Sequence, residues 1–218
     1  TAPTITLNGD DDITVEAGLT YTDEGATAAD TEDGDISHSI VVSDAVDTST
    51  LGTYTVTYNV HDSDGNAAIQ VSRTVTVVDT TNPVITLFGD PTVTLEVFTP
   101  YVDAGVQATD SFEGDLRTSL IIVDPVNTSV VGTYVITYNV SDSSGNDANQ
   151  VERSVTIVDT TAPEITLNGN SVINLAVGAP YNDLAASALD NYDGNITGSI
   201  NIINPVDNNT VGVYTIRY

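Results

Sequence analysis

Residues 54–60 read YTVTYNV, in which Tyr54, Val56, Tyr58 and Val60 are apolar and Thr55, Thr57 and Asn59 between them are polar. A period of two is the signature of a strand with one face in a core and the other in water. The run 69–78 repeats the alternation through Val71, Val75 and Val77. Arg73 shares the parity of those valines, so it points inward unless a bulge intervenes. An inward guanidinium needs a carboxylate partner, or a stem packed on the edge of the fold with its head in water.

Further strands are legible at 4–7, 13–16, 26–29, 39–42 and around 46–49, separated by clusters of Gly, Asp and Asn. Threonine, valine and isoleucine are abundant and helical periodicity is absent. About seven short strands of this kind predict an all-β fold, a β-sandwich of immunoglobulin type.

The pattern is tandem. Thr1-Ala2-Pro3 returns as Thr81-Asn82-Pro83 and Thr161-Ala162-Pro163, and Gly52-Thr53-Tyr54 as Gly132-Thr133-Tyr134 and Gly212-Val213-Tyr214. The offset is 80 residues without insertion, which divides the chain into repeats 1–80, 81–160 and 161–218. Tyr218 stands where Tyr58 and Tyr138 stand, so the third repeat is incomplete and lacks its last strand. A fragment of a longer array is one account of this; a strand donated by another chain, as in a filament, is the other.

Composition narrows the partners. Against 31 acidic residues there are four arginines and no lysine, a net charge of −27. Such a chain repels nucleic acid and anionic membranes and welcomes cations or basic partners. Without lysine no Lys–Asn isopeptide crosslink can form, and without cysteine there is neither disulfide nor thiolate metal site. No apolar run approaches the roughly 20 residues of a membrane span.

Several motifs together resemble those of bacterial surface immunoglobulin-like domains, a family related to hyalin-repeat modules. They are Pro3-Thr4-Ile5-Thr6-Leu7, Tyr21-Thr22-Asp23-Glu24-Gly25-Ala26, the loop 30–36, Gly52-Thr53-Tyr54, Asp62-Ser63-Asp64-Gly65-Asn66 and the stretch 73–81. The resemblance covers both complete repeats and the available part of the third. It implies a secreted or cell-surface location and a role as spacer or adhesive arm, often beside an enzyme.

The acidic loops raise the question of a metal. Residues 30–36 read DTEDGDI, with counterparts DSFEGDL from Asp110 and DNYDGNI from Asp190. If each strand crosses the sandwich once, the turn 8–12, the loop 30–35 and Asp79 fall together where the chain leaves a repeat. The turns near 21–25, 43–45 and 62–66 then fall at the opposite end. The linker Asp79-Thr80-Thr81-Asn82 is short, so the acids of one repeat should face Asp103, Asp124 and Asp142 of the next. Close carboxylates repel by about 1 kcal/mol or more per pair unless a cation sits among them. Calcium, which accepts six to eight oxygens in flexible geometry, is the expected ion. The candidate ligands are Asp10, Asp30, Asp33, Asp35 and Asp79, their counterparts Asp90, Asp110, Glu113, Asp115 and Asp159, and Asp190 and Asp193 in the third repeat. Asn170 and Asn195 replace two of the set there. A solvated acidic turn is the competing expectation. The 62–66 and 142–146 segments read as hairpin turns rather than calcium loops, with Gly in the left-handed conformation and Asp and Asn capping amides.

No catalytic constellation stands out. His38 and His61 do not recur at the offset, there is no nucleophile elbow, and with so many acids a carboxylate pair is expected by chance. Loops of constant length also argue against an active site, which predicts a protein that is not an enzyme. Tyr21, Tyr54 and Tyr58 recur and are assigned to the core or its corners. Phe88, Phe98 and Phe112 all lie in the second repeat, with Tyr192 matching Phe112 in the third, and they form either a ligand patch or packing at the repeat junctions. The expected function is a non-catalytic extracellular array, a stalk, spacer or adhesive arm with its neighbouring repeats stiffened by calcium. Carbohydrate binding beside a secreted polysaccharide hydrolase is the second expectation, and a filament or surface-layer subunit made from copies of the chain is the third.

Overall fold

A computed structural model describes all of residues 1–218. The first repeat contains β1 (Thr4–Leu7), β2 (Asp12–Glu16), β3 (Ala26–Asp30), β4 (Gly34–Asp35), β5 (Val41–Ser43), β6 (Gly52–Asn59) and β7 (Val71–Val78). They form two sheets, β1-β3-β4 and β2-β7-β6-β5. The alternation in 54–60 becomes β6, which pairs antiparallel with β7 so that Val56 lies opposite Arg73 and Tyr58 opposite Val71. The inner faces meet where Ile5 and Ala28 of one sheet pack against Val56, Tyr58 and Val75 of the other, closed by Ile36 and Val60. Val56, Tyr58 and Val75 are fully buried, and burying each such side chain contributes about 1.5–3 kcal/mol. The sandwich is therefore held by the parity read from 54–60 and 71–78.

β1 and β2 are two halves of one crossing. β1 runs antiparallel to β3 in one sheet, while β2 runs parallel to β7 in the other, with Ile13 opposite Val75. Residues 8–11 carry the chain between sheets, which takes backbone carbonyls off both ladders. Arg73 meets them: its guanidinium donates to the carbonyl oxygens of Asn8 and Asp10, the latter from Nε at 2.8 Å, and it forms an ion pair with Asp23. Tyr58 and Tyr21 donate their hydroxyls to the same Asp23 Oδ1 at 2.6 and 2.9 Å. Burial works to raise the pKa of Asp23, but the tyrosine hydrogen bonds and the Arg73 charge outweigh it and hold the carboxyl below its ordinary value. The inward arginine is thus a structural ion pair, and Arg153 repeats it with Asp103 and the carbonyl of Asp90.

Three local expectations need correction. Residues 46–49 form no strand; Asp47 folds them into a turn by accepting from the Ser49 amide and hydroxyl at 3.0 and 2.6 Å. The seventh strand is β4 instead, the end of the acidic loop, with Asp35 opposite Ala29. Ser37–Ser39 is a turn of 3-10 helix, so β5 begins later than 39.

The second repeat has β8 (Val84–Leu87), β9 (Thr92–Glu96), β10 (Val106–Asp110), β11 (Gly114–Asp115), β12 (Ile121–Val123), β13 (Gly132–Asn139) and β14 (Val151–Val158), with the same sheet orders. The third has β15 (Glu164–Leu167), β16 (Ala186–Asp190) and β17 (Gly194–Asn195). Its other sheet is reduced to a bridge between Ile203 and Arg217, and Ile173, Leu175 and Val177 are exposed where β7 and β14 cover their counterparts in the first two repeats. By backbone proximity the chain divides into two compact units. One comprises Thr1–Gly89, Ala104–Val123 and Thr137–Glu152, the other Asp90–Asp103, Asp124–Ile136 and Arg153–Tyr218. No helix is long and apolar enough to cross a membrane.

Candidate metal centre

The single crossing made by β1 and β2 puts the acidic loop at the end opposite to the one expected. The acidic loop of the first repeat lies at its N-terminal end. Thr1 donates its hydroxyl to Asp30 Oδ2 at 3.1 Å, and Ser63, in the turn between β6 and β7, donates its amide and hydroxyl to Asp33 at 2.7 and 2.9 Å. The C-terminal end is made by Glu16, the Gly18 amide donating to Thr48, and Asp79. Asp10, Asp30, Asp33 and Asp35 therefore do not converge with Asp79. Asp10 serves Arg73 through its carbonyl, and Asp35 accepts from the Ser37 amide and hydroxyl at 3.0 and 2.6 Å to start the 3-10 turn. In the second repeat Asp90 repeats the role of Asp10, and Asp115 holds the exposed Arg117 guanidinium at 2.7–3.0 Å. Asp103 and Asp124 are likewise elsewhere, the first on Arg153 and the second capping the Val126 amide.

What Asp79 meets is the N-terminal end of the second repeat. One oxygen from each of Asp79, Glu113 and Asp142 lies within 4.8 Å of the others. Each carboxylate is oriented by the local backbone. Glu113 Oε1 accepts from the Ser143 amide and hydroxyl at 2.7 and 2.6 Å, and Asp142 closes its turn on Asn146 with two bonds of 2.7 Å. Asp79 accepts from the Thr81 amide at 3.2 Å and from the Ser144 hydroxyl at 3.3 Å, and its carbonyl accepts from the Asn146 amide group at 3.1 Å. Burial raises the Asp79 pKa, and the charges of Asp110 and Asp142 push it the same way.

Asp110 completes the picture. Its Oδ1 caps the amides of Phe112 and Glu113 at 2.7 and 3.1 Å, while its buried Oδ2 has no hydrogen-bond partner. The residue is 7% exposed, as is Asp79, and Asp142 is 8% exposed. An oriented set of oxygens with one left unsatisfied is the donor chemistry a calcium ion takes. Asp142 is absent from the set chosen by sequence because its segment reads fully as a turn. It is that turn, with Gly145 at φ 91°, and it also presents its carboxylate to the linker.

The linker is gripped from the other side without a metal. Glu16 accepts from the Thr80 amide and hydroxyl and the Thr81 hydroxyl, all at 2.8 Å. Glu96 does the same for Thr160 and Thr161, and these hydrogen bonds, the Thr160 amide first, bring its pKa down to about 2. At this second linker burial raises the pKa of Asp159, helped by the charges of Asp190 and Glu96. Asp190 is itself buried and caps the amides of Tyr192 and Asp193 at 2.8 and 2.9 Å. Phe98 lies against Tyr192 with ring centroids 6.3 Å apart, and the Tyr192 hydroxyl accepts from the Val131 amide at 3.3 Å. These two aromatics therefore pack at a junction. Phe112 is partly buried and Phe88 half exposed. Both histidines are exposed.

Comparison with known proteins returns chains of similar repeats. A pesticidal crystal protein, Cry22Aa, of Bacillus thuringiensis is 29% identical over an alignment covering 100% of this chain and 31% of that protein. An uncharacterized 81.3 kDa protein of Acholeplasma phage L2 is 32% identical over 88% of this chain and 27% of its own length. Hyalin of the sea urchin Strongylocentrotus purpuratus is 30% identical over 77% of this chain and 15% of its length. The chain thus spans less than a third of each of these relatives. The family model for the Ig-like domain of bacterial surface proteins matches residues 5–77, 85–157 and 165–218, so the chain belongs to that family.

Proposed function

We propose that the chain is a non-catalytic structural and adhesive segment of an extracellular or cell-surface protein, a spacer whose consecutive repeats are held at fixed angles and stiffened by calcium. The observation that carries this reading is the double grip on the first linker. Glu16 fastens Thr80 and Thr81 to the repeat they leave, while Ser144 and Asn146 fasten Asp79 to the repeat that follows. A flexible tether needs neither. Membership of a surface-domain family supports the location. The recurrence of the same loops in every repeat, with no enlarged or irregular loop to house chemistry, supports a mechanical role over catalysis.

Small-angle scattering of the intact chain in calcium tests it: a spacer gives a pair-distance distribution of one fixed arrangement, whereas flexibly strung domains give the smooth, featureless decay of an ensemble. Carbohydrate binding beside a secreted hydrolase is the second reading. It rests on the partly exposed Phe88 ring of the second repeat, and a glycan array with no retained ligand would remove it.

A further inference from the structure

The feature that the spacer reading leaves unexplained is the buried Asp110 oxygen. A carboxylate oxygen sealed from water with no donor is costly, and native folds rarely leave one so. No cationic side chain compensates it. Arg73 and Arg153 are committed to Asp23 and Asp103, Arg117 is committed to Asp115, Arg217 belongs to the third repeat, where it bridges Ile203, and lysine is absent. Asp79, Glu113 and Asp142 lie mutually within 4.8 Å, and Asp110 adjoins them, capping the Glu113 amide and bearing with its charge on Asp79. In Asp110 one oxygen is used to fix the loop and the other remains, and Glu113 likewise uses only Oε1 for Ser143.

We infer that Asp79, Asp110, Glu113 and Asp142 form a calcium site, with Asp110 Oδ2 as its most buried ligand. The site deepens the spacer reading, on which it rests only for the purpose of the ion. Its ligands come from the linker (Asp79), the acidic loop (Asp110, Glu113) and the turn between β13 and β14 (Asp142), so that an ion ties three segments together. All four are oxygen donors in loops or, for Asp110, at a strand end, which suits a cation that tolerates irregular coordination better than magnesium does. Asp159, Asp190 and Asp193 repeat three of these positions at the offset of 80. The loops thus serve the repeat that carries them together with the linker that precedes it, which is the reverse of the arrangement expected from the sequence.

Calorimetric titration of the intact chain with calcium chloride at physiological ionic strength tests the assignment. The expected result is saturable binding with Kd on the order of 10⁻⁴ M, with the component assigned to this site weakened at least tenfold, by order of magnitude, in Asp110→Asn and in Asp79→Asn. Asp115→Asn, in the same loop but paired with Arg117, should bind as the parent does. Circular dichroism of each variant establishes that it is folded, and Asp79→Asn, on the linker, supplies the answer if Asp110→Asn is not. Absence of saturable binding, or binding indifferent to both substitutions, overturns the site. Scattering on the same samples separates the two ideas: no calcium uptake with one fixed arrangement retained refutes the site and keeps the spacer, whereas calcium uptake by a flexible ensemble does the opposite.

Discussion

Glu113 accepts hydrogen bonds from both the amide and the hydroxyl of Ser143, at 2.7 and 2.6 Å, and Asp33 makes the same pair of contacts with Ser63 in the first repeat. In each complete repeat this joins the acidic loop to the turn between the two long strands. Ser143→Ala removes one charged hydrogen bond, which contributes about 1.5–3 kcal/mol, discounted to about 1 kcal/mol for its exposure. The expected outcome is an earlier urea midpoint for the second repeat with an unchanged slope. A midpoint that stays put would mean that the loop is held by other contacts.

Arg73 and Asp23 form the other structural pairing that recurs in each complete repeat. Arg73→Met strands Asp23 and frees the carbonyls of Asn8 and Asp10, and the expected cost is about 3–5 kcal/mol. The double variant Arg73→Met with Asp23→Leu should recover part of that loss, since no charge is then left without its partner. Thermal unfolding of the two variants decides the matter. Equal melting temperatures would show that the carbonyl contacts, and not the ion pair, carry the stabilisation.

The linker grip by Glu96 has a defined pH dependence. Its pKa falls from the ordinary 4.5 to about 2 because the Thr160 amide and hydroxyl and the Thr161 groups donate to the ionised form. A depressed carboxyl pKa contributes stability that is fully present above the unfolded value and is lost as pH falls through the folded one. The grip should therefore hold to pH 4.5 and release between there and about 2. The Thr160 amide resonance followed by NMR should titrate near the lower value; a midpoint near 4.5 would mean that the hydrogen bonds are not made in solution.

Phe98 takes φ 66° at the position where the first and third repeats have Gly18 and Gly178, at 77° and 80°. A side chain there costs about 1 kcal/mol relative to glycine. Tyr192 is what the ring gains in exchange. A double-mutant cycle of Phe98→Gly and Tyr192→Ala should give a coupling of about 0.5–1.5 kcal/mol, with Phe98→Gly stabilising once Tyr192 is gone. Additive effects would show that the two rings do not work together.

Strand identity was legible in the sequence because side-chain parity records which face of a strand is buried, and 54–60 and 71–78 state it without ambiguity. The inward Arg73 and its need for a carboxylate followed from the same parity. The ends of the sandwich were not legible, because residues 4–7 and 13–16 look like two strands when they are one crossing that changes sheets. That change depends on Arg73 bonding to Asn8 and Asp10, some 63–65 residues away in the chain, and no local pattern carries it. The extra crossing exchanges the ends of the loops 30–35 and 43–45, and the strand expected at 46–49 but absent restores the count, so that 62–66 and Asp79 fall where expected. The sequence places Asp79 with Asp10, Asp30, Asp33 and Asp35 at the first linker, and Asp110 and Glu113 with Asp90, Asp115 and Asp159 at the second; in the structure Glu113 stands beside Asp79 and Asp142, while Asp10 and Asp35 serve the local backbone.

The most direct test is the distance across the first linker, since the chain has no cysteine and takes labels cleanly. Spin labels on Ser72→Cys and Ser119→Cys report one residue from each of the first two repeats. The account predicts a single narrow distance distribution in calcium that broadens on adding a chelator, and that is broad in calcium when Asp110→Asn is present. A distribution of the same width in all three conditions would contradict it.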